Sequence, residues 1–105
     1  MIIDTHCHLH FEQFDADRPE VLRRARAAGV EYLIDVGTDP ENNEKAYALA
    51  SRYGFIRHTA GLHPHSAHEA DEAMLSGIEA HVRQKKPVAI GEIGLDFYRQ
   101  LSPRD

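Results

Sequence analysis

One cysteine, Cys7, is all the sequence holds. That excludes an internal disulfide framework and points to a reducing compartment, the cytosol. No apolar run approaches the ~18 residues of a membrane span. No basic segment followed by an apolar stretch opens the chain, so a secretory leader is not expected either. Positive charge is scarce: 12 Lys and Arg against 17 Asp and Glu leave a net charge of −5. That argues against nucleic-acid binding through a broad basic surface. It leaves phosphate-ester chemistry open, because bound divalent cations can supply positive charge locally. No repeat, low-complexity tract or linker divides the chain, so its 105 residues read as one domain or part of one.

What the chain has in excess is histidine, with eight dispersed residues. Two of them sit in the opening stretch Met1-Ile2-Ile3-Asp4-Thr5-His6-Cys7-His8-Leu9. It begins apolar and β-branched and turns polar, as a strand does when it leaves a core. Side chains alternate along a strand, so His6 and His8 share a face about 6.6 Å apart. Two imidazoles placed so can reach one cation, although a His-x-His pair alone is weak evidence. Cys7 points to the other face and reads as a small buried residue.

The rest alternates strands and helices. Asp17-Arg18-Pro19-Glu20 reads as a helix start, with Asp17 capping and Glu20 completing a capping box. Val21, Leu22, Ala25 and Ala28 form its apolar stripe, and Gly29 ends it in a left-handed conformation. Val30–Val36 is the second strand. Asp39 and Pro40 start a second helix, whose inward face is Ala46, Leu49, Ala50 and Tyr53, and Gly54 closes it. Phe55–Ala60 is a third strand and Gly61–His65 a loop. A third helix lies within 70–86, stopped by Pro87. Pro87–Glu92 is the fourth strand. Four strands and three helices in strict alternation predict a parallel sheet with right-handed crossovers.

The polar residues collect at one rim. His6 and His8 end the first strand, His63 follows the third, and Glu92 ends the fourth. Carbonyl-terminal strand ends are where α/β barrels build their sites. A carboxylate directly after Val88-Ala89-Ile90-Gly91 is costly to bury unless it is paired or binds a metal. A salt-bridged strand end is the bland alternative. Two imidazoles and one carboxylate suit zinc, manganese or iron, with magnesium where carboxylate and water dominate. Such a metal would acidify a bound water for attack on a phosphorus or carbonyl centre.

Three segments together resemble the TatD-type metal-dependent deoxyribonucleases, members of the wider amidohydrolase-like barrels. They are Ile2–Leu9, Gly61-Leu62-His63-Pro64-His65 and Val88–Arg99, in the family's order. The resemblance implies the N-terminal half of a (β/α)₈ TIM-type barrel over residues 1–105, with one or two divalent ions (Mg²⁺, Mn²⁺ or Zn²⁺) and DNA as substrate. It implies that His6 and His8 bind metal and that Glu92 bridges two ions. His63 would stand beside the scissile phosphate as substrate contact or proton-transfer group. Asp96, Tyr98 and Arg99 fall on the substrate side, with His65, which reads equally well as a loop histidine.

The chain departs from the family in two ways. His10 stands where Asp or Asn is usual after the first motif. The family's later ligands, two histidines and a catalytic aspartate, have no counterpart, since a full barrel takes ~250 residues. A four-stranded half-barrel also has two unpaired edges and would expose Ile2, Val88 and Ile90. That predicts a homo-oligomer, two halves closing one barrel, or a missing C-terminal half. Two other functions remain open at this point. One is a related metallohydrolase acting on amide, lactone or aminoacyl-ester bonds. The other is an inactive half-barrel serving as an interaction module.

Overall fold

The computed structural model describes residues 1–99. Four parallel strands, β1 (Ile2–Cys7), β2 (Val30–Asp35), β3 (Ile56–Ala60) and β4 (Ala89–Ile90), lie in the order β1-β2-β3-β4. Helices α1 (Arg18–Ala27), α2 (Pro40–Arg52) and α3 (Glu72–Lys85) connect them in turn. The result is the curled half of a barrel with helices packed against the sheet, as the alternation predicts.

Local signals explain most boundaries. Gly29 takes φ +99° after α1, a conformation that costs glycine little and other residues more. Asp39 caps α2 by accepting the Asn42 N–H at 2.8 Å, and Asp71 caps α3 by accepting that of Met74 at 2.7 Å. The expected capping box of α1 does not form: Asp17 makes no side-chain cap bond. Glu20 instead turns along its own helix to Arg23, at 2.6 and 2.8 Å. A two-bond guanidinium partner outcompetes one backbone N–H.

Three further boundaries differ from the sequence pattern. Lys86, at φ 48°, ends α3 one residue before Pro87. A 3₁₀ segment occupies Pro64–Glu69, where the sequence suggests only a loop. Strand β4 shrinks to two residues, so Glu92 lies just beyond it rather than within it.

The core is made where helices meet the sheet. Leu9, Leu22, Leu33, Leu49 and Ile56 form one buried cluster, with Phe14, Tyr53 and Phe55 packed around it. Tyr32 lies apart from this cluster, 42% exposed under Arg57. The opposite face of the sheet is open. Ile2, Val88 and Ile90 are 53%, 53% and 61% exposed, as a half-barrel requires, and β1 and β4 are the sheet's two edges. Among the described residues, no helix is long and apolar enough to cross a membrane.

Candidate metal centre

The rim gathers residues from three strand ends. His6 comes from β1 and His8 follows it, His63 follows β3, and Glu92 follows β4. The Glu92 carboxylate is the meeting point. Its Oε2 lies 3.3 Å from His6 Nε2 and 3.5 Å from His8 Nε2, and its Oε1 lies 3.1 Å from His63 Nε2. Ligating atoms of His6, His8 and Glu92 fall within 4.8 Å of one another. The Gly91–Glu92 peptide is cis.

Hydrogen bonds on the far sides of the rings assign the protons. His8 Nδ1 is 2.8 Å from the Val36 carbonyl. A carbonyl only accepts, so a neutral His8 carries its proton on Nδ1 and turns the Nε2 lone pair toward Glu92. Lone pair and carboxylate then face each other with no proton between them. A cation bridges such a pair of acceptors, and a histidine anchored through its other nitrogen is the usual form of a metal ligand. His63 is arranged the other way. Its Nδ1 accepts the His65 N–H at 3.0 Å, so Nε2 bears the proton and donates it to Glu92 Oε1. One carboxylate oxygen is satisfied by the His63 donor, while the other faces the His8 lone pair, with His6 Nε2 at 3.3 Å.

Around this centre the chain is braced. Phe11 stacks on His8, with ring centroids 4.7 Å apart and planes within 7°. His65 bonds Asp96 through its Nε2. The Tyr98 and Arg99 amides donate to Asp96 Oδ1 at 2.9 and 3.0 Å. The bond from the Arg99 amide, helped by His65, pulls the Asp96 carboxyl down to about 2. Asp96, His65, His63 and Glu92 thus form one connected line. Among the described residues, Tyr98 and Arg99 join it through their backbone amides, and the Tyr98 side chain is 92% exposed. Cys7 is partly buried and donates to the Ile34 carbonyl. Burial pushes its thiol up to about 12, so it is no nucleophile.

Several buried polar residues lie close behind the rim without any motif to announce them. Asp35 is fully buried, accepting the Leu9 N–H at 2.9 Å and pairing with His10 Nδ1 at 2.9 Å. His10, the departure from the family pattern, therefore anchors the turn that delivers His8. Asn43 and Thr59 hold the loops together from below. Deeper still, His58 and His81 face each other through Nε2 at 3.1 Å. Glu44 accepts from His81 Nδ1 and from Lys85.

The fold defines the class: the N-terminal half of an α/β barrel, with two imidazoles and a carboxylate gathered on its carbonyl-terminal rim. The comparisons narrow that class. A family model described as TatD related DNase matches residues 3–105, and the chain belongs to that family. It is 41% identical, over its whole length, to the uncharacterized metal-dependent hydrolase YabD of Bacillus subtilis, covering 41% of that protein. It is 43% identical over 96% of its length to the 3'-5' ssDNA/RNA exonuclease TatD of Cronobacter sakazakii, covering 38% of it. The crystal structure of YJJV, a TatD homolog from Escherichia coli, superposes with a TM-score of 0.83 at 39% identity. That match covers 92% of this chain and 38% of the other. The chain thus spans about two fifths of the length of the relatives it matches.

Proposed function

We propose that the chain carries the N-terminal share of a divalent-metal centre that hydrolyses phosphodiester bonds in DNA. The observation that carries this is the meeting of ligand atoms, with His6 Nε2 at 3.3 Å and His8 Nε2, its lone pair turned inward, at 3.5 Å from one Glu92 oxygen. His6, His8 and Glu92 would hold the ion, which supplies Lewis-acid polarisation and an acidified water when bound. The donor set of two nitrogens and one carboxylate suits Zn²⁺ or Mn²⁺, with Mg²⁺ if further oxygen ligands join. Glu92 is also the residue that would be shared with a second ion.

His63 holds a proton at Nε2, at the same height on the rim. With Nδ1 committed to the His65 amide, that proton, donated to Glu92 Oε1 in the structure, would pass to a phosphate oxygen or a leaving alkoxide when substrate takes the place of the carboxylate. Asp96 keeps His65 in place and so fixes the orientation of His63. His65, Tyr98 and Arg99 line the substrate side, where the Arg99 guanidinium would meet the phosphate backbone. The single thiol, held protonated, fits a cytosolic setting.

The open edges favour an addition to this reading. Exposed apolar residues beside unpaired β1 and β4 call for a covering segment. That segment is either a C-terminal barrel half or a second copy, and it would supply the remaining ligands. The test is divalent-metal-dependent cleavage of labelled single-stranded DNA by the 105-residue chain, with Glu92→Ala as control and assembly state measured on the same sample. Cleavage that needs metal and Glu92, in an assembled species, supports the reading. Metal binding without cleavage assigns the chain half a site. Failure to bind Mn²⁺ or Zn²⁺ at all would sink the metal assignment.

A further inference from the structure

Two buried side chains tie the rim together without touching the histidines or the Glu92 carboxylate. Thr59, on β3, is 6% exposed and Asn43, on α2, is 1% exposed. The Thr59 hydroxyl donates to the Gly91 carbonyl at 2.7 Å and accepts the Gly37 N–H at 3.3 Å. The Gly37 carbonyl in turn accepts the Glu92 N–H at 2.9 Å. The peptide unit joining Gly91 to Glu92 is therefore held at both of its polar ends, and that peptide sets where the Glu92 side chain leaves the backbone. Asn43 grips the next loop the same way. Its amide donates to the Gly61 carbonyl at 3.1 Å and its Oδ1 accepts the Gly61 N–H at 3.2 Å.

The loops after β2, β3 and β4 meet here backbone against backbone. A Cβ on Gly37 would stand 2.0 Å from Asn43 Oδ1, and one on Gly61 would stand 2.6 Å from the Gly91 carbonyl carbon. No side chain fits between them, and the hydroxyl and the carboxamide fix their spacing together with the backbone bond from Glu92 N–H to the Gly37 carbonyl. A buried hydroxyl with both its donor and its acceptor capacity used is a specific brace, not general packing.

We propose that Thr59 and Asn43 are positioning residues of the metal centre. Thr59 sets the Gly91–Glu92 peptide so that one carboxylate oxygen faces His6 and His8 and the other faces His63. Asn43 holds the Gly61 loop against that peptide. This rests on the metal reading of the rim given above. Residues behind a ligand change affinity ten- to a hundred-fold in metal sites generally, about the effect expected here.

The test compares Thr59→Val, which removes both hydrogen bonds at similar volume, with Thr59→Ser, which keeps them. The probe is Co²⁺, titrated against its visible absorption, together with the amide NMR shifts of Gly91 and Glu92 in the metal-free chain. Expected are a ten-fold or greater loss of Co²⁺ affinity in Thr59→Val, recovery to within about three-fold in Thr59→Ser, and a Glu92 amide shift in Thr59→Val alone. A folded Thr59→Val with unchanged Co²⁺ affinity and an unchanged Glu92 amide overturns the proposal. If Thr59→Val does not fold, Thr59→Ala is measured instead. Should both fail while Thr59→Ser folds, Thr59 is a folding determinant and the proposal falls. If the unaltered chain binds no Co²⁺, or Glu92→Ala binds it equally well, the metal reading is what fails. The Glu92 amide in Thr59→Val then decides the positioning claim alone.

Discussion

The chain contains two histidine clusters built from similar parts and arranged to opposite ends. At the rim, His6 and His8 turn ring nitrogens toward Glu92 in half-exposed surroundings. Under α2 and α3, His58 and His81 turn ring nitrogens toward each other, with Glu44 behind His81 and Tyr47 edge-on to both. In the buried pair a hydrogen bond closes the gap. Glu44 takes the proton on His81 Nδ1, His81 Nε2 accepts, and His58 Nε2 donates. At the rim, the His8 lone pair faces the Glu92 carboxylate with no proton between them. Residue type does not separate a candidate metal site from a structural pair. What separates them is whether the protons already present satisfy every nitrogen that faces inward.

The largest test of that distinction is Glu92→Ala. Divalent-cation affinity should fall on the order of 10³-fold, about 4 kcal/mol, since a ligand is lost and not merely its support. Calorimetric titration with Mn²⁺ or Zn²⁺ reads it. His81→Ala should leave that affinity within about two-fold, the size of change expected of a distant independent site. Equal losses in both variants would erase the contrast between the clusters.

Acid should act on the buried cluster next. Burial, with the charge of His81 second, pulls His58 down to about 4 from an ordinary 6.5. The unfolded chain then takes up a proton near pH 6.5 that the folded chain refuses until about pH 4. Between those values the unfolded state binds more protons, so stability falls as pH falls. The loss is on the order of 2–3 kcal/mol across the window and is absent above pH 7. Denaturant unfolding at a series of pH values measures it, and a flat profile between pH 6.5 and 4 would contradict the closed pair. His81→Ala should cost about 1–3 kcal/mol at neutral pH, because His58 and Glu44 lose a buried partner. The same variant should flatten the acid slope by letting water reach His58.

The rim was legible in the sequence and the buried cluster was not, for a physical reason. Rim residues stand at strand ends, where the change from β-branched to polar residues marks them, and short local motifs hold them. His58 sits inside a strand and His81 inside a helix, 23 residues apart, and no local pattern announces that they meet. The pairing of His10 with Asp35 and the grip of Asn43 on Gly61 are hidden likewise. Asn43 in the first turns of a helix reads as a solvent-facing polar residue. Helix starts at Asp39 and Asp71 were readable or nearly so, because a cap is a contact over three residues. The capping box at Glu20 misled because Arg23, equally local, offered a stronger partner. Strand β4 was read too long because an apolar run fixes composition, whereas strand length depends on how far a neighbour follows alongside.

The smallest effect sharpens the comparison from the rim's side. His8 is held by three different things: the chain through Val36, the ring of Phe11, and whatever stands before Glu92. Phe11→Leu removes the stacked face while keeping an apolar neighbour, and leaves the Val36 bond and the Nδ1 proton intact. Stacked rings add about 0.5–1.5 kcal/mol beyond burial, so cation affinity should drop by no more than about ten-fold. Global stability should change little, since Phe11 lies outside the buried cluster. If Phe11→Leu instead matched Glu92→Ala, the orientation of His8 would rest on the ring, and the Val36 bond would not be what aims its lone pair. If it left affinity untouched, the carbonyl alone would suffice. The rim would then resemble the buried pair in one respect: both would set histidine geometry by hydrogen bonds and differ only in what faces the free nitrogen.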